Sequence, residues 1–110
     1  MSDGSSPEPP PIEGRKSARK RVLLGGKCVY NEGVFSLDCR IRDLSEGGAR
    51  ITLPAGQVLP TRVILIDMRD RVAYEAEVVW IKSAECGLKF LNKFSLRSEL
   101  PPAMAYLKRF

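Results

Sequence analysis

The stretch FSLDCRIR, residues 35–42, decides the fold because apolar and polar side chains alternate in it at every position. The apolar positions are Phe35, Leu37, Cys39 and Ile41. A period of two over eight residues is typical of a β-strand with one buried and one solvated face. The stretch therefore predicts a strand whose apolar face covers a core.

Five further segments with strand character surround this one and are separated by turn sequences. They are residues 22–30, 49–53, 62–67, 72–81 and 85–90. The pair Gly25-Gly26 indicates a bulge or the close approach of another backbone, and the alternation in 72–81 turns Trp80 toward the core. Six short strands in a small chain predict an all-β fold, a closed six-stranded antiparallel barrel, because closure removes exposed strand edges.

The ends of the chain differ from this strand region, 22–92, in composition. Residues 1–14 are rich in Ser, Pro and Glu and show no apolar period, which predicts a disordered tail. Residues 15–21 form a basic arm. In the C-terminal segment, 93–110, Pro101-Pro102 can open a short helix, which must dock on the barrel or on a partner to be stable.

The charge of the chain is concentrated in the arm. The net charge is +5; residues 1–14 carry −3, residues 15–21 carry +5, and the other 89 residues carry +3. The basic side chains of the arm are Arg15, Lys16, Arg19, Lys20 and Arg21. This distribution indicates a local anion clamp and not the long basic stripe that grips DNA or RNA.

Several classes of function are excluded or disfavoured by composition. The chain has no His, so a Ser-His-Asp or Cys-His catalytic site cannot be built within it. Its three cysteines show no Cys-x-x-Cys spacing, so we expect no metal site and three small buried thiols. The odd cysteine count, the polar N-terminus and the lack of a long apolar run favour a cytoplasmic protein without a membrane span.

Two short segments can carry binding chemistry. Arg15 and Arg19 can give fork-shaped hydrogen bonds to phosphate or to a guanine edge. Asp43 and Ser45 continue the parity of residues 35–41 but are polar, which places them where that strand leaves the core, at the barrel rim. There the carboxylate can accept hydrogen bonds from guanine, and the hydroxyl can bind phosphate. Each segment alone also fits a plainer reading, namely a solvated basic stretch and a turn whose Asp and Ser bond their own backbone.

Together the two segments resemble the signature of the PilZ domain, a bacterial receptor domain for the second messenger cyclic di-GMP. That signature is RxxxR followed by [D/N]xSxxG, and both parts are present here without substitution. The resemblance covers about residues 15–92 and implies a six-stranded barrel with a C-terminal helix. It also implies a receptor that is not an enzyme, needs no cofactor, and binds cyclic di-GMP, often as an intercalated dimer.

The resemblance implies roles for matching residues. Arg15 and Arg19 would hold phosphates and guanine faces, while Asp43 and Ser45 would contact a guanine base and nearby phosphate. Gly48 would allow the tight turn beneath the ligand. Lys16, Lys20 and Arg21 lie outside the signature, and we expect from them only general electrostatic support; Gly47 is a further supporting candidate. Ligand binding would order the arm against the barrel and present a changed surface to a downstream protein.

Two other functions remain open from the sequence. The first is a protein-interaction module that keeps the PilZ fold and binds no nucleotide. The second is a small barrel that binds single-stranded RNA, which usually needs exposed aromatic platforms. The chain has three Tyr, four Phe and one Trp, most of them at inward positions, so the RNA platform is not indicated.

Overall fold

The computed structural model describes the backbone of residues 20–110 and the side chains of residues 23–110. The predicted tail and the arm residues Arg15, Lys16 and Arg19 lie outside the described residues. The strands are β1, Lys20–Tyr30; β2, Phe35–Leu44; β3, Gly48–Thr52; β4, Arg62–Asp67; β5, Val72–Lys82; and β6, Glu85–Ser95.

These six strands form a closed antiparallel barrel in the order β1-β2-β3-β6-β5-β4, with β4 pairing back to β1. The predicted fold class is therefore confirmed. The close approach predicted at Gly25-Gly26 is found at Gly26, where an added Cβ would lie 3.0 Å from the carbonyl oxygen of Ile66. The irregularity in register lies just before the pair, between Arg21 and Leu24.

The barrel interior is filled by side chains that alternate along the strands. Ile41, Ile51 and Leu65 are fully buried there. The alternation predicted for 35–42 holds along most of the strand, but Phe35 is half exposed and stacks on Tyr30 with ring centroids 5.2 Å apart. This difference arises because Phe35 begins β2 next to the β1–β2 turn, outside the enclosed interior.

The three cysteines contribute to this interior as predicted. All three are free thiols and buried. Burial raises the pKa of Cys28 and of Cys39 to about 12, and that of Cys86 to about 11. The thiols therefore stay protonated near neutral pH and pack as small apolar groups.

A second apolar cluster lies on the outside of the barrel. Strand β4 is buried on both faces, since Val63 and Leu65 enter the interior while Ile64 and Ile66 lie beneath the C-terminal segment. That segment ends in a 3-10 helix, Pro102–Arg109. The predicted C-terminal helix is thus confirmed. It docks on the barrel, and its hydrogen bonds join residues i and i+3.

The substitution Leu107→Ala should destabilise the protein by about 2–5 kcal/mol, the usual range for truncating a fully buried Leu. Leu107 is 0% exposed and is the buried anchor of the 3-10 helix. Urea unfolding measures the change. The matched control is Ala105→Ser, at an exposed position of the same helix, which should change stability by less than about 0.5 kcal/mol. Equal stability of the two variants would contradict this packing.

Candidate functional site

The Asp-x-Ser-x-x-Gly motif forms the end of β2, the β2–β3 turn and the start of β3. The backbone N–H of Ser45 donates to the carbonyl oxygen of Gly48 at 2.9 Å, and the Ser45 hydroxyl donates to the same oxygen at 3.2 Å. Ser45 is half-buried. The serine thus closes the turn through local backbone bonds, and its hydroxyl oxygen can still accept a hydrogen bond.

The position of Asp43 differs from the sequence prediction. Ile41 pairs with Ile51, but Asp43 pairs with Arg50, so two steps along β2 match one step along β3. The extra residue, Arg42, shifts the parity of the strand as bulges do. Leu44 now packs against the core, and Asp43 lies on the outer wall beside Arg50, one residue before the end of β2.

Asp43 is held on this wall by two further charged residues. Nε of Arg50 donates to Oδ2 of Asp43 at 2.5 Å, and Nη1 of Arg50 donates to Oε2 of Glu85 at 2.6 Å. The Asp43 side chain is only 7% exposed, whereas those of Arg50 and Glu85 are 25% and 38% exposed. The hydrogen bond to Asp43 is the main cause that raises the pKa of the Arg50 guanidinium.

The basic arm joins the barrel next to the motif. In the β1–β2 pairing, Lys20 lies opposite Leu44 and Arg21 lies opposite Asp43. Arg19 directly precedes Lys20 in the chain. The two motif arginines therefore lie within a few residues of the point where β1 begins to pair with β2. The structure therefore brings together Asp43, Ser45, Gly48 and the start of β1; the placement of Arg15 and Arg19 lies outside the described residues.

Gly48 of the motif and its neighbour Gly47 lie in different surroundings. Gly48 pairs with Lys89, and a Cβ at Gly48 would overlap the carbonyl oxygen of Leu88. Among the described glycines, the left-handed backbone occurs at Gly33 and Gly56, so Gly48 is required by the close approach of β6 and not by a left-handed turn. Gly47 has no atom within 4 Å of the position of an added Cβ.

The sequence also predicted the wrong face for Trp80. The register of β5 and β6 shifts between Val78 and Trp80, so Trp80 pairs with Gly87 on the outer wall. Its side chain is 41% exposed, and the indole lies over Gly87, which has no side chain to displace it. The bulge cannot be read from the alternation, but a Gly in the neighbouring strand is the signal that could have suggested it.

These pairings form one continuous row across the outer wall. Asp43 is opposite Arg50, Arg50 is opposite Gly87, and Gly87 is opposite Trp80. The row therefore places a carboxylate on β2, a guanidinium on β3 and an exposed aromatic face on β5, with Gly87 of β6 between the last two. A cavity of about 280 Å³ lies elsewhere on the barrel and is lined by Asp38, Cys39, Arg40, Thr52, Leu53 and Pro54, so none of the motif residues that the structure describes lines it.

Within residues 20–110, no helix has the length and apolar character needed to cross a membrane.

Comparison with known proteins agrees with this geometry. A family model, described as the PilZ domain, matches residues 13–100. The matched range includes both parts of the signature, Arg-x-x-x-Arg and Asp-x-Ser-x-x-Gly, and all six strands. No curated protein matches the chain.

Proposed function

The chain belongs to the PilZ domain family, a family of cyclic di-GMP receptors, and on this premise we propose that it binds cyclic di-GMP on the outer wall of its barrel. Arg15, Arg19, Asp43, Ser45 and Gly48 form the binding site in this proposal. The protein acts as a receptor and effector without a cofactor and without turning the ligand over. Binding orders the N-terminal arm, and the rearranged arm signals to a partner protein.

The observation that carries the proposal is the pairing of the start of β1 with the motif strand. Arg21 opposite Asp43 brings the basic arm beside a carboxylate that is aligned on the outer wall. In cyclic di-GMP the guanine bases offer N1–H and N2–H₂ donors to a carboxylate, and the phosphate oxygens accept hydrogen bonds from arginine guanidinium groups. This pairing supports a site in which the two chemistries that cyclic di-GMP requires meet at one place.

The arm supplies the rearrangement. Five basic residues within residues 15–21 repel one another until an anion neutralises them. Fixing the backbone of a residue costs about 1–2 kcal/mol. A hydrogen bond to a charged group contributes about 1.5–3 kcal/mol. Ordering is therefore favourable only when several arginine contacts form together, which makes the arm respond to a dianionic ligand with two phosphates.

Trp80 extends the proposed site. Its exposed indole lies in the same row as Asp43, two strands beyond Arg50, and can stack on a guanine face. An intercalated dimer of cyclic di-GMP has outer bases that could use such a platform. In this proposal Trp80 is a stacking platform for a base and not the core residue that the alternation predicted.

Removal of the indole tests this role. Trp80→Ala should weaken cyclic di-GMP binding by about 1–3 kcal/mol, the range for one base stacked on an aromatic side chain, whereas Trp80→Phe should retain most of the affinity. The chain has one Trp, so its fluorescence should also be quenched when the wild-type protein binds the ligand. Unchanged fluorescence at saturation, with equal affinities for all three proteins, would remove Trp80 from the site.

Calorimetric titration of the full chain with cyclic di-GMP tests the proposed function. We expect saturable heat at micromolar protein and a stoichiometry that separates one ligand from an intercalated pair. Absence of heat at tens of micromolar protein would contradict the proposal and favour a PilZ-fold interaction module that binds no nucleotide.

A further inference from the structure

Arg50 belongs to neither part of the motif, yet it links the motif carboxylate to a second carboxylate on another strand. Its Nε bonds Asp43 on β2 and its Nη1 bonds Glu85 on β6, at 2.5 and 2.6 Å. A planar guanidinium that is bonded through two different nitrogens cannot rotate without breaking a charge-assisted hydrogen bond. Arg50 is therefore fixed in orientation, and it fixes the carboxylate of Asp43 in turn.

We propose that Arg50 is a positioning residue that determines base specificity, and that Glu85 holds it in place. The inference rests on the proposed function. A guanine edge presents N1–H and N2–H₂ as two neighbouring donors, and a carboxylate accepts both only when it lies in the plane of the base with its two oxygens directed at them. By holding Oδ2 of Asp43 in place, Arg50 sets the plane of the carboxylate for this pair of donors.

A simple attraction of Arg50 for the anionic ligand does not explain the arrangement. Arg50 is shared by two carboxylates, so the group of Asp43, Arg50 and Glu85 carries a net charge of −1. Arg40 and Arg42, in contrast, are exposed on β2. General attraction for phosphates is better supplied by such exposed arginines, and the loss of Arg50 should act on base recognition.

Cyclic di-IMP is the probe that separates the two roles. It keeps the dianionic ring and the N1–H of guanine but lacks the exocyclic amino group, so a carboxylate can accept one hydrogen bond from its base where guanine offers two. Wild-type protein should therefore prefer cyclic di-GMP over cyclic di-IMP by about tenfold, corresponding to one hydrogen bond to a charged group.

The test compares Arg50→Lys with the charge control Arg40→Ala, using calorimetric titration with both nucleotides. Arg50→Lys keeps the charge but not the planar fork, and the preference for cyclic di-GMP should fall to about threefold or less. Arg40→Ala should weaken both nucleotides by the same factor and leave the preference unchanged. Thermal unfolding of each ligand-free variant establishes that it is folded.

Each outcome bears on a different claim. A wild-type protein that binds neither nucleotide would contradict the proposed function itself. A wild-type protein that binds both equally, or an Arg50→Lys variant that keeps the full preference, would overturn the positioning role while leaving the receptor function intact. If Arg50→Lys does not fold, Glu85→Gln carries the test, since it leaves both motif parts unaltered; a reduced preference supports the role and an unchanged one overturns it.

Discussion

Arg19→Ala should weaken cyclic di-GMP binding by roughly 5- to 150-fold, because an arginine that bonds a guanine edge through two N–H groups contributes about 1–3 kcal/mol. Arg19 is the motif arginine nearest in sequence to the barrel. It is bonded to Lys20, whose backbone lies opposite Leu44 in the motif strand. The expected loss appears as a rightward shift of the calorimetric binding isotherm.

Lys16→Ala is the matched control for this substitution. Lys16 contributes one positive charge to the same arm but lies outside the Arg-x-x-x-Arg spacing. Its removal should lower the affinity by less than about threefold at physiological ionic strength, where exposed charges are screened. Equal losses in the two variants would show that the arm acts through its charge alone, and the fork-shaped recognition by Arg19 would then be abandoned.

Gly48→Ala should destabilise the protein by about 3 kcal/mol, at the upper end of the usual range for overpacking a tightly packed position. The added methyl group would overlap the carbonyl oxygen of Leu88, a backbone atom that cannot move unless β3 and β6 separate. Because β3 also carries Arg50, this separation should disturb the ligand site as well. Urea unfolding measures the stability, and titration measures the effect on binding.

The neighbouring glycine gives the control. Gly47 is exposed, and an added Cβ there meets no atom within 4 Å. Its backbone is not in the left-handed region, so an alanine fits there without strain. Gly47→Ala should therefore be neutral or stabilise the protein by up to about 1 kcal/mol, because alanine lowers the conformational entropy of the unfolded chain. If the two alanine variants were equally stable, the close contact between β3 and β6 would not be a feature of the folded protein.

The strand pattern could be predicted because alternation reports which face of a strand is buried. Where the strands are regular, as from Leu37 to Ile41, the predicted and observed faces agree. The predicted strand faces of Asp43 and Trp80 were wrong for one shared reason. Each follows an extra residue that shifts the register, after Ile41 in β2 and after Val78 in β5, so each side chain lies on the face opposite to its expected one.

The electrostatic arrangement of the site could not be predicted from local sequence. Arg50 and Glu85 are 35 residues apart, and only the pairing of β3 with β6 brings them together. The motif itself was visible because its residues are close in sequence. The residue that holds its carboxylate was hidden because a contact between distant strands leaves no periodic signal.

A two-dimensional amide NMR titration of the full chain with cyclic di-GMP tests the central claim most directly, since it reports binding and location together. We expect the largest shifts at residues 15–21, at residues 43–50 and at the indole N–H of Trp80, with little change along the 3-10 helix, Pro102–Arg109. Shifts confined to that helix or to the cavity beside Arg40 and Pro54, or no shifts at millimolar ligand, would contradict a cyclic di-GMP site on the outer wall.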